Sequence, residues 1–283
     1  MLVSVSMELR CSYLRFLAKT LDVTGRVINV LVISARYPFS MDSTAYTAEA
    51  AIEPDHWWFV GRRLLFADLI KGFDLPLGAE ILDVGTGTGT NLRLLRDLGF
   101  AHTTGVDRSP EAIRFCADKG LGIVRRGDIC QLELPDRRFD LVLATDIIEH
   151  VDDDLAALRE LRRVMRPGGY LLLTVPAFRL LWGLQDEVSH HKRRYTLRKL
   201  LKTLRIAELS PGEHFYFNYL LFLPILVARR LMRILKLRIV SEGEVNTEWL
   251  NRMLMSVFRF DVKTAPLLRP PIGVSALVVA MRT

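Results

Sequence analysis

Ile81-Leu82-Asp83-Val84-Gly85-Thr86-Gly87-Thr88-Gly89-Thr90-Asn91 is the stretch whose reading decides the fold. An aliphatic run, three glycines at alternate positions, and a Thr or Asn ahead of Leu92-Arg93-Leu94-Leu95 read as strand, tight turn and capped helix. Alternating glycines let the backbone turn sharply and let a ligand approach main-chain atoms where a Cβ would collide. A dinucleotide loop takes G-x-G-x-x-G, but the sixth position counted from Gly85 is Thr90, and Asp83 places a carboxylate just before the turn. That charge repels a pyrophosphate and suits a ligand carrying an ammonium and a sulfonium. Taken alone, the stretch also fits an ordinary glycine-rich strand-to-helix turn.

Working outward, strand and helix alternate. Strands are expected at Ile81–Val84, His102–Val106, Leu121–Arg125, Phe139–Thr145 and Tyr170–Val175, with helices at Asn91–Leu98, Pro110–Lys119 and Asp153–Met165. Such alternation implies right-handed crossovers and an α/β, doubly wound, mostly parallel sheet with helices on both faces. Pro167-Gly168-Gly169 is expected to separate the last of these helices from the fifth strand. His214–Tyr219 and Ile272–Met281 read as two further strands, giving seven, and the roughly fifty residues between them are far beyond a hairpin loop. Upstream, Glu53-Pro54-Asp55-His56-Trp57-Trp58-Phe59 opens a helix whose Trp58/Phe59, Leu65/Phe66 and Leu69/Ile70 share one face. Arg62 and Arg63 lie off its centre.

Asp107 closes the second strand, eighteen residues beyond Gly89, and Gly127-Asp128-Ile129 follows the third. Asp83, Asp107 and Asp128 therefore end three consecutive strands at the carboxyl edge of the sheet, where open α/β folds bind ligands. A carboxylate at Asp107 can accept hydrogen bonds from both hydroxyls of a ribose. In this order the motifs resemble those of the class I S-adenosylmethionine-dependent methyltransferases. The resemblance implies a Rossmann-like fold and an S-adenosyl-L-methionine cradle. Asp83, Gly85, Thr86 and Gly87 would lie by the methionine moiety, and Asp107 and Arg108 by the ribose. Asp128 would meet the adenine amine, Ile129 would pack on the ring, and Thr145 would stand at the end of the fourth strand. By the same token residues 77–283 form the methyltransferase domain, with a helical, basic insertion at about 220–270 before the last strand. Residues 41–76 are a capping helix region, and residues 1–40 an extension, poorly packed or an upstream-start artefact.

Asp146-Ile147-Ile148-Glu149-His150 resembles the family segment that runs between methyl donor and acceptor. His150 is a candidate base or a loop-orienting residue, and no metal is assigned because third and fourth ligands are not visible. The long segment after the fifth strand, Asp186-Glu187-Val188-Ser189-His190-His191-Lys192-Arg193-Arg194-Tyr195-Thr196, is dense in titratable groups. It is similar to a subgroup of these methyltransferases associated with surface polysaccharide or glycolipid synthesis. Methyl transfer is an in-line displacement whose barrier falls chiefly through alignment and a dry pocket. A hydroxyl acceptor also needs its proton removed, and an imidazole titrating near neutrality suits that task. His191 and His150 are the candidate catalytic residues. Trp57, Trp58, Asp186, Arg193, Arg194 and Tyr195 are candidate substrate contacts, the indoles as a cap and the arginines as holders of an acidic acceptor.

The 283 residues carry a formal charge of +7, and half of them are hydrophobic. Between His190 and Val240 twelve Lys or Arg face only Glu208 and Glu213, so the positive charge is local. Three cysteines without C-x-x-C spacing (Cys11, Cys116, Cys130) argue against a disulfide framework or zinc cluster and suit a cytoplasmic setting. Leu220–Ala228 is too short an apolar run to span a bilayer. With Arg229-Arg230-Leu231-Met232-Arg233-Ile234-Leu235-Lys236 it forms a basic amphipathic helix, either a lid over the acceptor or a contact with an anionic membrane surface on its inner face. No N-P-P-Y-like motif for a flipped base follows the fourth strand, so nucleic acid is not expected as a partner. The acceptor is expected to be a small molecule or to be lipid- or glycan-linked. Two rivals stand beside this reading: a nicotinamide-dependent oxidoreductase, which would use Asp107 equally well, and a catalytically idle, membrane-associated subunit of the same fold.

Overall fold

A computed structural model of the chain describes residues 15–21, 27–33, 43–234 and 247–283. The chain divides into two units, residues 1–40 and 41–283. In the first, strands β1 (Arg15–Leu21) and β2 (Val27–Ile33) pair antiparallel from Arg15↔Ile33 to Leu21↔Val27. Sequence reading assigned no element there; Cys11 lies outside the described residues.

The second unit opens with two helices where one was expected, α1 (Ser43–Ile52) and α2 (Trp57–Lys71). The break falls at Pro54, and His56 caps α2 by accepting the Trp58 N–H. β3 (Glu80–Val84), α3 (Thr90–Asp97), β4 (His102–Asp107), α4 (Pro110–Asp118) and β5 (Ile123–Arg126) follow the expected alternation. So do β6 (Phe139–Thr145) and α5 (Asp154–Val164). β7 (Met165–Pro176) begins five residues earlier than the sequence suggested. Met165 already pairs with Phe139, and an irregularity before Leu141 takes up the Pro-Gly-Gly segment inside the strand. A short 3-10 turn (Arg179–Leu181) and α6 (Leu184–Val188) lead to α7 (Leu197–Ile206), capped by Thr196. β8 (Leu209–Phe217) also starts early, with a register shift between Pro211 and His214. The insertion consists of α8 (Phe222–Ile234) and α9 (Glu248–Leu268), before β9 (Ser275–Arg282). Leu235 and Lys236, the end of the basic run, lie outside the described residues.

The seven strands of the main sheet run β5-β4-β3-β6-β7-β9-β8. β3 pairs parallel with both β4 and β6, and β9 alone lies antiparallel, between β7 and β8. The chain leaves β3 toward β4 and returns past it to β6, so a switch point opens at the carboxyl ends of β3, β4 and β6. Alternate residues feed opposite faces, as the pleat requires. Leu82, Val84, Val142 and Ala144 join the core under α5 and α7, whereas Ile81, Leu141 and Leu143 join the core under α2, α3 and α9.

On the second face α2 and α9 approach closely at Gly61. A Cβ there would stand 2.1 Å from Cδ1 of the fully buried Phe258. Trp57 meets the same ring edge-on and Trp58 stacks on it, with centroids 5.2 and 5.3 Å away. Gly61→Ala therefore forces a core ring to move and is expected to cost about 1–3 kcal/mol, several degrees in Tm. Gly78→Ala, where a Cβ meets nothing within 4 Å, is expected to leave Tm unchanged or slightly raised in the same thermal melt.

Candidate active site

The glycine turn at the end of β3 is held by the neighbouring strand. Gly85, Gly87 and Gly89 all have left-handed φ angles (77°, 52° and 88°), which side chains disfavour. Gly85 N–H donates to Val106 O at 2.8 Å, and Gly87 N–H to Asp107 Oδ2 at 2.9 Å. Asp107 Oδ1 accepts the Ser109 N–H at 2.9 Å. Both oxygens of Asp107 thus fix backbone, and each keeps a second lone pair. Burial raises the Asp107 carboxyl above its ordinary value even against these bonds.

Asp83 is fully buried behind the turn. Its Oδ1 accepts from Asn91 Nδ2 at 2.9 Å, while its Oδ2 has no partner among the described residues. Burial pushes its carboxyl up to about 7. Asn91 Nδ2 also reaches Thr145 Oγ1 at 2.9 Å, which ties the turn to the end of β6. A Cβ on Gly87 would meet nothing within 4 Å, whereas one on Gly85 would strike Ile147 at 2.9 Å. The turn is therefore packed on one side and open on the other.

Helix α1 lies against this turn, which sequence reading missed. Glu53, nearly fully buried just past its end, accepts from the hydroxyls of Thr88 and Thr90 and pairs with Lys119 at 2.6 Å. One and two turns earlier, Glu49 and Tyr46 stand on the same face, within electrostatic reach of Asp107. Burial, then Glu53, pushes the Glu49 carboxyl up to about 7. Burial likewise raises the Tyr46 phenol. The spacing 46, 49, 53 is a helical face, and that was the available signal.

At the end of β6, Asp146 takes a left-handed φ of 53° and pairs with Arg62 of α2 at 2.7 Å. The Arg62 guanidinium also lies over Trp58 and Phe66. Glu149 is fully buried, and neither of its carboxylate oxygens has a hydrogen-bond partner among the described residues. Burial, then the Asp146 charge, lifts its carboxyl well above the ordinary range. Lys192 N–H donates to Glu149 O at 2.8 Å, which brings the segment after α6 onto this loop. His191 and His150 meet edge-to-face, centroids 4.7 Å apart, and Nε2 of each lies 3.9 Å from Glu149 Oε1. His191 Nδ1 is 2.9 Å from Asp186 Oδ1.

Asp186 is the hub of the segment. Fully buried, it accepts from Gly183 N–H at 2.8 Å and from Arg194 at 2.7 and 2.9 Å, with Arg229 at 3.9 Å. Burial alone would raise its carboxyl, but the bonds from His191 and Arg194 hold it well below the ordinary range. An ionised Asp186 only accepts, so His191 Nδ1 carries the hydrogen and a neutral His191 presents its Nε2 lone pair toward Glu149. Burial, then His191, pulls the His150 imidazole down to about 4.

Several sequence candidates lie elsewhere than expected. Trp57 and Trp58 are partly buried against the core, Trp57 meeting Phe258 edge-to-face and Trp58 stacking on Phe258 and Phe217. Tyr195 is fully buried with its hydroxyl on Asp154 at 2.7 Å, so it is a core residue and not a substrate contact. Arg194 is spent on Asp186 and Ala177 O, and Arg193 on Val151 O, Asp152 O and Asp154. Both guanidinium groups thus bond the protein's own carbonyls and carboxylates, and Asp186 itself orients His191. Arg62, read as peripheral to its helix face, turns inward to Asp146. Ile129 is buried in the core cluster that includes Val106 and Leu132, while Asp128 and Arg108 form an exposed pair at 3.9 Å. Thr86 is buried under the turn.

Residues 82–173 match the family profile described as a methyltransferase domain. Among curated relatives, malonyl-[acyl-carrier protein] O-methyltransferase of Serratia marcescens is 35% identical over 149 residues, 52% of this chain and 54% of that protein. Demethylmenaquinone methyltransferase of Tropheryma whipplei is 30% identical over 159 residues, 53% of this chain and 60% of that one. The chain thus spans about half the length of these curated relatives. Among solved structures, phosphoethanolamine N-methyltransferase 2 of Haemonchus contortus, in complex with S-adenosyl-L-methionine, superposes with a TM-score of 0.57 at 16% identity. That match covers 90% of this chain and 62% of that one, and it speaks to fold alone. The orphaned Asp83 oxygen, the spare lone pairs of Asp107 and the open side of Gly87 fit S-adenosyl-L-methionine. With its switch-point cradle and matching segment, the chain carries at residues 82–173 a methyltransferase domain of the class I S-adenosylmethionine-dependent kind.

Proposed function

We propose that this protein transfers a methyl group from S-adenosyl-L-methionine to an oxygen of an acceptor that is a small molecule or is linked to a lipid or glycan. When bound, the cofactor supplies a methyl group activated on a positively charged sulfur. The chain's own part begins with charge. Asp83, Asp107 and Glu49 gather negative or readily ionised groups around the glycine turn, where a cationic ligand stabilises their charged forms. Asp107 offers its remaining lone pairs to a ribose, and Asp128 stands at the next strand end for an adenine amine. These assignments, with Gly85, Gly87 and Thr145 completing the cradle, are those that the strand ends favour.

The single observation that favours an oxygen acceptor is the Asp186–His191 pair beside Glu149 and His150. An amine that is already unprotonated needs no such group, whereas a hydroxyl must lose a proton. Asp186 fixes the ring and tautomer of His191, and proton removal depends on that imidazole. His150, pulled down to about 4, stays neutral and serves to position its neighbour. The Serratia relative's name specifies O-methyl transfer, in keeping with an oxygen acceptor but not with the need for a base.

The outer surface of α8 supports a lipid-linked acceptor. Its inner face packs Phe222, Ile225 and Leu226 against Leu181 and Phe178, and Arg229 donates to Leu181 O, so the helix covers the segment that carries Asp186. Its other face leaves Leu223, Val227, Leu231 and Ile234 exposed, four apolar residues at helical spacing beside Arg230. No helix among the described residues is long and apolar enough to cross a membrane. A lid whose back lies on an anionic membrane surface serves both roles expected from the sequence.

Three outcomes follow from this reading. First, Asp83 and Glu49, raised to about 7, are protonated in the ligand-free fold at pH values where the unfolded chain has lost those protons. Their contribution to stability is therefore complete below about pH 4 and lost as pH rises through 7. A cationic ligand reverses the preference, so binding of S-adenosylmethionine should tighten between pH 6 and 8 with proton release. Calorimetry in buffers of differing ionisation enthalpy reads this, and an Asp83→Asn, Glu49→Gln double variant should lose the effect. Second, with acceptor supplied from cell-envelope lipid or glycan extracts, His191→Ala should lower kcat about 10²–10⁴-fold and leave cofactor Kd unchanged. Unchanged turnover would sink the role given to His191. Third, flotation with anionic vesicles should recover the protein at moderate salt and fail for a Leu223→Glu, Val227→Glu variant. Absence of flotation by the wild-type chain would leave α8 as a lid alone.

A further inference from the structure

Glu149, His150 and His191 come from two loops forty residues apart, yet each offers a ligand atom and these atoms lie within 4.8 Å of one another. Three features set the group apart from a chance cluster. Glu149 is fully buried with both oxygens unpartnered among the described residues, and burying an unpaired carboxylate is costly. His191 has its Nδ1 engaged by a buried carboxylate that is itself fixed by Arg194 and Gly183, which leaves Nε2 as the atom aimed inward. A carboxylate behind a ligating imidazole is the arrangement that orients metal-binding histidines. Lastly, the nearby cations are engaged elsewhere: Arg62 pairs with Asp146, and Arg194 with Asp186.

We propose that Glu149 Oε1, His150 Nε2 and His191 Nε2 are the ligands of a divalent first-row transition-metal cation such as Zn²⁺, with Asp186 behind His191. Two imidazoles and one carboxylate suit zinc and its neighbours and do not suit Mg²⁺ or Ca²⁺, which favour all-oxygen sets. Zinc–ligand bonds of about 2.0–2.2 Å place adjacent ligand atoms roughly 3.3 Å apart. The 3.9 Å from Glu149 Oε1 to each Nε2 thus needs a contraction of about half an ångström, within reach of side-chain rotation. Three protein ligands leave a position open, as in catalytic sites.

The role of the site rests on the methyl-transfer reading and deepens it. An acceptor hydroxyl bound at the open position becomes more acidic and gives its proton to solvent water. The oxygen then forms a bond to the methyl carbon as the carbon–sulfur bond breaks, and the thioether leaves neutral. On this account His191 promotes proton loss by holding the cation, and Asp186 is a positioning residue.

The test uses untagged full-length protein stripped with a chelator and titrated with Co²⁺, followed by its visible ligand-field absorption, then with Zn²⁺ and elemental analysis. S-adenosylmethionine binding is measured on the same samples. Expected are one Co²⁺ per chain displaced by Zn²⁺, and loss of the bands in Glu149→Gln, His150→Ala and His191→Ala. Asp186→Asn should weaken the cation about 10–100-fold. Each variant should bind the cofactor like the wild type. Wild-type protein that binds the cofactor but takes up no Co²⁺ or Zn²⁺ would overturn the site, as would uptake unaltered in all three ligand variants. Cation uptake without cofactor binding would uphold the site and instead defeat the methyl-transfer reading.

Discussion

Carboxylates buried at the carboxyl edge of a parallel sheet are the constraint on which this structure turns. Asp83, Asp107, Glu53, Glu149 and Asp186 are buried, and Glu49 is partly buried. Each needs hydrogen-bond donors, a cation or a proton, because an isolated buried charge is prohibitive. The fold meets that need differently on its two sides. Glu53 and Asp186 are paired with Lys119 and Arg194 and stitch α1 and the segment after α6 to the domain. Asp83, Glu49 and Glu149 lack such pairing and are pushed toward their protonated forms. The first group is architecture; the second is where a positive ligand gains most.

That division gives the site two halves. On the side of the glycine turn, Asp107 accepts the Gly87 and Ser109 N–H groups, so the turn's shape is set before any ligand arrives. On the side of His191, Asp186 fixes the imidazole, and the backbone bond from Lys192 to Glu149 sets the distance between the two loops. Preorganised donors and acceptors of this kind lower a barrier without paying reorganisation at the moment of reaction. Arg62 joins the halves: anchored between Trp58 and Phe66, it holds Asp146 at the end of β6.

The glycine turn and the acidic strand ends were legible in the sequence because their residues are local to strand ends. The glycine turn, Asp107 and Asp128 each follow directly from an aliphatic run, and alternation alone orders β3 to β7. What stayed hidden depends on tertiary packing. Helix α1 presents Tyr46, Glu49 and Glu53 to the turn, but a face of two acids and a phenol has no hydrophobic periodicity to betray it. The packing of Trp57 and Trp58 depends on α9, which brings Phe258 to Gly61 from the far end of the chain. Tyr195, Arg193 and Arg194 sit in a basic run that reads as surface, yet Asp154 and Asp186 draw them inward. Glu149 and His150 gained His191 through topology, since nothing in a one-dimensional spacing places the end of β6 beside a segment beyond β7.

The central claim is that this switch-point cleft selects a cationic adenosyl ligand over a dinucleotide. Equilibrium binding of S-adenosylmethionine and of NAD to the same purified chain tests it most directly. The account predicts saturable binding of S-adenosylmethionine that is abolished by Asp107→Ala, with no detectable binding of NAD. Saturable binding of NAD with none of S-adenosylmethionine would contradict it.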